Sequence, residues 1–227
     1  MAQTGVVIVA GGVGRRMGGT MPKQFMMLGN SPILVHTINR VREALPVAEI
    51  VVVLPEEHIA LWKNLAARFD VAVHKVVAGG KERFHSVKAG LEALSEEVRY
   101  VAVHDGVRPM VSKKLIIRLI LEAEKHMAVV PAIAPVDSCR VLQGEASQVV
   151  DRATLRLVQT PQVFQMEVLR RAYEQEFSAA FTDDASVVEA AGFEIRLCEG
   201  ERHNIKITTP EDICIAEALI SMEDADV

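Results

Sequence analysis

The sequence predicts an α/β fold with a mainly parallel sheet and helices on both faces, and three observations carry that expectation. Short β-branched runs alternate with longer amphipathic stretches, helix-start signals precede several of those stretches, and the first run ends directly in a glycine-rich loop. Such alternation is the pattern of βαβ units, whose ligands bind outside the carboxyl ends of the strands.

Taken in order, Val6–Val9 reads as the first buried strand, followed by Ile50–Leu54, Val71–Val77, Tyr100–His104 and Ala128–Ile133. Short runs rich in valine and isoleucine suit strands that are covered on both faces. The intervals read as helices: Ser31 and Pro32 supply an N-cap and a first-turn proline for Ile33–Leu45, and Ser112 similarly opens Lys113–His126. Between Val136 and Leu157 the alternation lapses into short polar and β-branched pieces around Gln143-Gly144-Glu145, the tip of a hairpin, so a protruding β-arm is expected there. Helical periodicity returns at Met166–Gln175 and Asp184–Ala191, then a strand at Glu194–Cys198, and a last helix begins at Thr209-Pro210-Glu211-Asp212. With no repeat and no low-complexity linker, residues 1–227 are expected to form one domain with the arm at about 136–157.

Of the 227 residues 50% are hydrophobic, enough to bury a full core. The formal net charge of -5 argues against a general nucleic-acid binder, which presents a strongly basic face, so any phosphate binding must be local. Cys139, Cys198 and Cys214 stand far apart without CxxC spacing, so neither a zinc knuckle nor a disulfide framework is indicated, and reduced packing residues are expected. Met1–Thr4 lead straight into the first strand without a signal sequence, and no apolar run reaches the roughly 20 residues that span a bilayer. A soluble, cytoplasmic protein without membrane contact is expected.

Ala10-Gly11-Gly12-Val13-Gly14-Arg15-Arg16-Met17 follows the first strand, with Pro22-Lys23-Gln24 shortly after. Glycine lets backbone N–H groups approach an anion without a Cβ in the way, and a following helix end adds a favourable dipole. A dinucleotide GxGxxG starting at Gly12 needs glycine where Met17 stands, and the only Gly-Lys pair, Gly80-Lys81, has Lys75 and Glu82 at positions where a Walker A loop requires Gly and Ser or Thr. This is a different phosphate loop, and Arg16 and Lys23 supply fixed positive charge for displacement at phosphorus. Standing alone, the same residues make a tight turn with solvated charges.

Asp105 ends the strand Tyr100–His104 ahead of Gly106-Val107-Arg108-Pro109, a hard oxygen ligand at the ligand-binding edge. Mg²⁺ takes one or two carboxylates and completes its octahedron with water and substrate phosphates, so one such aspartate suffices; the alternative is an Asp capping a turn. His104 has no second histidine at ligand spacing and reads as strand packing. Gly79-Gly80-Lys81-Glu82-Arg83 and Ser86 offer backbone groups and a hydroxyl to a pyrimidine edge, or else form a βα turn with Gly80 at positive φ.

Together these residues resemble the 2-C-methyl-D-erythritol 4-phosphate cytidylyltransferases of the non-mevalonate isoprenoid pathway over nearly the whole chain. The ordered series continues through Val150-Asp151-Arg152, Gln159-Thr160-Pro161-Gln162, Thr182-Asp183-Asp184-Ala185-Ser186 and Asn204-Ile205-Lys206-Ile207-Thr208. The resemblance implies a Rossmann-like, glycosyltransferase A-like nucleotidyltransferase fold. It implies that Arg16 and Lys23 stabilise the transition state and that Asp105 binds the Mg²⁺ bridging the CTP phosphates. It also implies that Gly80 and Ser86 recognise cytosine while Ala10, Gly11, Gly12 and Gly14 surround the nucleotide. Arg152 and Lys206 correspond to the residues holding the methylerythritol phosphate, with Asp105, Arg108, Ser138 and Thr160 nearby. In that family the arm crosses into a homodimer partner, so Arg152 is expected to complete the neighbouring site. The chain departs from the pattern at Ser138, often threonine, at Gly106-Val107, commonly two alanines, and at Lys81, often acidic.

The expected reaction is in-line attack by the polyol phosphate on the α-phosphorus of CTP, with pyrophosphate leaving. The nucleophile is already ionised at neutral pH, so catalysis reduces to positioning and charge neutralisation without a general base. The alternatives are a ribitol 5-phosphate cytidylyltransferase on the same fold and a silent nucleotide-binding subunit. The silent subunit predicts loss of charged positions that Arg16, Lys23, Asp105, Arg152 and Lys206 here retain.

Overall fold

The computed structural model describes residues 3–12, 21–72 and 74–225. The chain opens with β1 (Thr4–Val9), then turns through a short hairpin of β2 (Met27–Leu28) and β3 (Ser31–Pro32) into α1 (Ile33–Ala44). Ser31 was expected to cap α1; instead Ser31 and Pro32 pair with Leu28 and Met27, and Pro32 occupies the cap position without a side-chain bond. Gly29, at φ 58, makes the tight turn between the two strands, and Ile33 N–H at the helix start is satisfied by Met26 O.

β4 (Glu49–Leu54) and α2 (Glu56–Arg68) follow, then β5 (Lys75–Ala78) and α3 (Arg83–Glu92). The third strand starts later than the Val71–Val77 expected from sequence. Val71 N–H bonds back to Ala66 O and Asp70 takes φ 46, a left-handed helix termination, so Val71 closes α2 rather than opening β5. β6 (Tyr100–Asp105), α4 (Lys113–Lys125) and β7 (Ala128–Ile133) complete the regular alternation. Ser112 caps α4 as expected, its hydroxyl accepting from Leu115 N–H.

The arm is the hairpin of β8 (Cys139–Gln143) and β9 (Ala146–Val150), which among the described residues pair only with each other and turn at Gly144, φ 62. It is shorter than the expected span because β10 (Leu157–Val158) already rejoins the main sheet beside β7. After β11 (Gln162–Gln165) come α5 (Met166–Ala172), α6 (Asp184–Ala190), β12 (Arg196–Glu199) and α7 (Pro210–Ala225).

In the main sheet the order is β10-β7-β11-β6-β1-β4-β5, with β12 also on β7. β1, β4, β5 and β6 run parallel, while β11 is inserted antiparallel between β6 and β7. From β1 the chain moves outward to β4 and β5 and then returns to β6 on the other side. The order therefore reverses between β1 and β6, the place where such sheets hold ligands.

Strand alternation sends successive side chains to opposite faces and so builds two cores. Val6, Ile8, Ile50, Val52 and Leu54 pack with Leu34, Ile38, Trp62, Leu115 and Leu119, whereas Val7, Val51, Val53, Val101 and Val103 pack with Val87, Leu91, Phe164, Leu169 and Val188. Burial on both faces explains why the strands read as continuous apolar runs. A third cluster, with Leu28, Ile33, Val107, Met110, Ile207 and Ala216, seats α7 beside the small hairpin. Cys139 and Cys198 are half-buried and unpaired, but Cys214 is exposed, against the expectation of three packing cysteines. Among the described residues no helix is long and apolar enough to cross a membrane.

Candidate active site

The parallel register sets the site before any side chain is considered. Val9 stands beside Val53 on one side and Asp105 on the other, and Val53 beside Val77, so four strand ends finish level. A cavity of about 490 Å³ opens there, lined by Ala10, Gly11, Gly12, Lys23, Gly79, Gly80, Arg83, Ser86, Asp105 and Lys206 among others. The sequence predicted nearly all of these, from motifs as far apart as residues 10 and 206. Gly14 and Arg16 lie outside the described residues.

Ala10 is held on both sides, its N–H donating to Val53 O at 2.9 Å and its carbonyl accepting from Gln24 Nε2 at 2.7 Å. Gln24 is buried and fixes the end of β1 to the turn Lys23–Phe25, a contact not anticipated from sequence. That turn places Lys23 beside Gly12 and lets its Nζ donate to Ile207 O at 3.3 Å.

Across the cleft, Gly80 does not have positive φ. Glycine is required there by space: an added Cβ would stand 2.4 Å from His85 Cβ. Ser86 Oγ accepts from Gly80 N–H at 3.2 Å and donates to Glu82 O at 3.2 Å, so the hydroxyl first shapes the loop and retains one lone pair for a ligand donor. Arg83 forks onto Asp184 through bonds of 2.9 and 2.6 Å, and Tyr173 OH donates to the same carboxylate at 2.6 Å. Burial works against the Arg83 charge, but the Asp184 carboxylate outweighs it and holds the guanidinium more firmly protonated than usual. Arg83 and Asp184 stood in recognised motifs, yet nothing local revealed that they pair, 101 residues apart.

Asp105 gathers the remaining groups. Lys206 Nζ lies 3.0 Å and Arg108 Nε 3.2 Å from its Oδ2. Burial opposes the carboxylate's charge; Lys206, Arg83 and Arg108 together overcome it and hold Asp105 well below the usual carboxylate range. Arg108 is buried, and its NH1 donates to Asn204 O at 2.8 Å, binding the Lys206 loop to the end of β6. Gln159 clasps the same loop, Nε2 donating to Glu201 O at 2.7 Å and Oε1 accepting from Glu201 N–H at 3.0 Å.

Thr160 is buried behind Asp105 rather than lining the cavity, and its Oγ1 accepts from Asp105 N–H at 3.0 Å. His104, expected only to pack, bonds Thr160 Oγ1 through Nδ1 and Arg108 O through Nε2; burial pushes its pKa down to about 4. Ser138 and Arg152 sit at the base of the arm, exposed and outside the lining of this cavity, with Arg152 donating to Val136 O.

Among the described residues no three His, Cys, Asp or Glu side chains converge as a metal cage. Magnesium does not need one. Asp105 Oδ2 takes both cations, and among the described residues no hydrogen bond engages Oδ1, so this carboxylate fits the one-ligand mode in which phosphates and water supply the rest.

The chain is similar to known proteins along nearly its whole length. The family model described as 2-C-methyl-D-erythritol 4-phosphate cytidylyltransferase matches residues 4–222. A protein of that name from Bacteroides thetaiotaomicron is 50% identical over 216 residues, covering 95% of this chain and 98% of the relative. Another from Porphyromonas gingivalis is 46% identical over 217 residues, covering 95% and 96%. The solved 4-diphosphocytidyl-2C-methyl-D-erythritol synthase of Anaerococcus prevotii superposes with a TM-score of 0.82 at 28% identity, over 96% of this chain and 98% of that one. The Thermus thermophilus cytidylyltransferase superposes with a TM-score of 0.76 at 34% identity, over the same shares. On these matches, end to end in sequence and in fold, the chain belongs to the 2-C-methyl-D-erythritol 4-phosphate cytidylyltransferase family.

Proposed function

We propose that the chain transfers CMP from CTP to 2-C-methyl-D-erythritol 4-phosphate, giving 4-diphosphocytidyl-2-C-methyl-D-erythritol and pyrophosphate in isoprenoid precursor biosynthesis. The observation that carries the reading is the single cavity in which the glycine loop, Lys23, the Gly80–Ser86 loop, Asp105 and Lys206 meet. Gly11 and Gly12 give a triphosphate close access to the backbone, while Gly80 and the spare Ser86 lone pair face the pyrimidine. Lys23, joined by Arg16, neutralises charge that grows on the transferred phosphoryl group. Lys206 holds the polyol phosphate near the α-phosphorus, and Arg108 fixes Asp105 beside it.

Asp105 is the protein ligand for Mg²⁺, which when bound neutralises negative charge on the triphosphate. Arg152 and Ser138 serve a second copy of the chain, because both lie on an exposed arm base outside this cavity. The exposed apolar residues Val141, Leu142 and Val149 on the arm support a homodimer formed through it. Three unpaired cysteines accord with a reducing, cytoplasmic setting, and the acidic balance accords with small phosphorylated substrates rather than nucleic acid.

Pyrophosphate release from CTP and Mg²⁺ by the purified protein tests the reading, with 2-C-methyl-D-erythritol 4-phosphate and ribitol 5-phosphate compared at equal concentration. Turnover with the first alone is expected. Preference for ribitol 5-phosphate would move the substrate assignment, and CTP binding without release from either would leave a silent subunit.

A further inference from the structure

Thr37 is a polar side chain on the buried, apolar face of α1, beside Leu34, Ile38 and Val41, and it has no exposed surface. Valine has the same shape and would bring no hydroxyl to satisfy in a place closed to water. Thr37 Oγ1 reaches two carbonyls, Ile33 O at 3.2 Å and Gly106 O at 3.1 Å. Both can only accept, so the hydroxyl donates. Ile33 stands four residues earlier in the helix, where its carbonyl already takes the Thr37 N–H of the helical ladder. Among the described residues no other hydrogen bond reaches Gly106 O, so the hydroxyl supplies what that buried carbonyl lacks.

Gly106 belongs to the corner that follows Asp105. Arg108 N–H donates to Asp105 O at 3.1 Å, which closes residues 105–108 into a tight turn with Gly106 at its first central position. On one side Gly106 N–H donates to Val9 O at 2.9 Å, and a Cβ here would stand 2.8 Å from Ala10 Cβ and 3.1 Å from Leu34 Cδ1. The corner therefore lies directly against the residue that opens the glycine loop. Glycine makes this approach possible, but it brings no side chain to anchor the corner and leaves its backbone freer than any other residue would. Thr37 ties that backbone to α1, 69 residues away in sequence.

We infer that Thr37 is a positioning residue, which through the Gly106 carbonyl holds the end of β6 against the end of β1 and so places the Asp105 carboxylate opposite the glycine loop. The inference rests on the cytidylyl-transfer reading above, with Asp105 as the protein ligand for Mg²⁺. Thr37 is outside the lining of the cavity and outside every motif that pointed to the site.

CTP binding to the intact protein, measured by titration calorimetry in EDTA and again with saturating Mg²⁺, tests the role without relying on turnover. Wild type is expected to bind CTP more tightly with Mg²⁺ than without. Thr37→Val keeps the side-chain shape and removes the donor. It should cut the Mg²⁺-dependent gain about five- to tenfold, as loss of a group supporting a metal ligand does, while Kd in EDTA stays within about twofold. The Mg²⁺ concentration for half-maximal pyrophosphate release should rise by a similar factor. Thr37→Ser retains the hydroxyl and should return both quantities to within about twofold of wild type. A lower melting temperature with the Mg²⁺-dependent gain unchanged would overturn the inference and leave Thr37 as a satisfied core hydroxyl. Equal loss of CTP affinity in EDTA and in Mg²⁺ would overturn it as well, since the metal side of the site would not be singled out.

If Thr37→Val does not fold, Gly106→Ala displaces the same corner from the side of Ala10. The same selective loss of the Mg²⁺-dependent gain is expected, and an unchanged gain overturns the inference. Wild-type protein that binds CTP but gains nothing from Mg²⁺ would remove the metal role of Asp105 and the inference with it. Failure to release pyrophosphate with either polyol phosphate, with the Thr37→Val effect on Mg²⁺-dependent CTP binding intact, would strike the transfer reading alone.

Discussion

Asp184 is fully buried, yet its carboxylate takes a forked bond from Arg83 and a third from Tyr173. Removing it leaves a partly buried guanidinium without its counter-charge. Asp184→Ala is therefore expected to destabilise the fold by about 3–5 kcal/mol in urea titration, the usual cost of breaking a buried pair from one side. Lys23 makes a different prediction. In the proposed reaction Lys23 acts on charge that develops during transfer, so Lys23→Ala should lower kcat for pyrophosphate release about 10²–10³-fold with a smaller change in KM for CTP. Lys23, Asp105 and Lys206 were legible in the sequence because each sits at a fixed offset within a motif. The Arg83–Asp184 and His104–Thr160 pairs were not, since their partners lie 101 and 56 residues apart and only the folded sheet brings them together.

Glu49 ties three elements at the far end of β4, accepting from the Ser95 hydroxyl, from Ser95 N–H at 3.2 Å and from Lys75 Nζ at 3.1 Å. The Ser95 hydroxyl bond is the main cause that lowers its pKa below the ordinary 4.5, against the opposing effect of burial and with help from Lys75 and the Ser95 N–H. A lowered carboxylate stabilises the fold fully above its unfolded pKa, and that stabilisation is lost as pH falls through the folded value. The stability difference between wild type and Glu49→Gln should thus be widest near neutral pH and close as the pH drops below 4.5, followed by denaturation at several pH values. On the same face, a Cβ at Gly90 would meet Val7 Cγ1 at 2.4 Å, so α3 rests directly on β1. Gly90→Ala should cost about 1–3 kcal/mol through overpacking, despite alanine's better helix propensity. The central strands and α4 were readable because burial and capping leave local marks. β11 left little: only Val163 and Phe164 lie between flanking glutamines, and the antiparallel insertion depends on neighbours it does not encode. Ser31 misled because a serine before a proline serves a short strand as readily as a helix cap.

At the scale of the molecule, the hairpin of β8 and β9 exposes Leu142 at 79% and Val149 at 67%, apolar surface that the main sheet does not cover. If the arm seats on a second copy, Val141→Glu with Leu142→Glu should convert a dimer to monomers in sedimentation and lower turnover through the displaced Arg152, while α1 to α4 and their sheet stay folded by circular dichroism. The overall α/β architecture was legible because alternation is a global pattern, whereas the extent of the arm depended on where β10 rejoined β7. The clasp between the end of β6 and the loop of residues 201–206 also bears on biogenesis. A nascent chain emerging from the ribosome presents the glycine loop and Asp105 well before the Asn204 carbonyl and the Lys206 ammonium, which follow Asp105 by about a hundred residues. On the proposed role of Lys206, competence to bind the acceptor phosphate is thereby withheld until residue 206 has been added, and a ribosome stalled short of residue 204 would display an incomplete cleft rather than a working one.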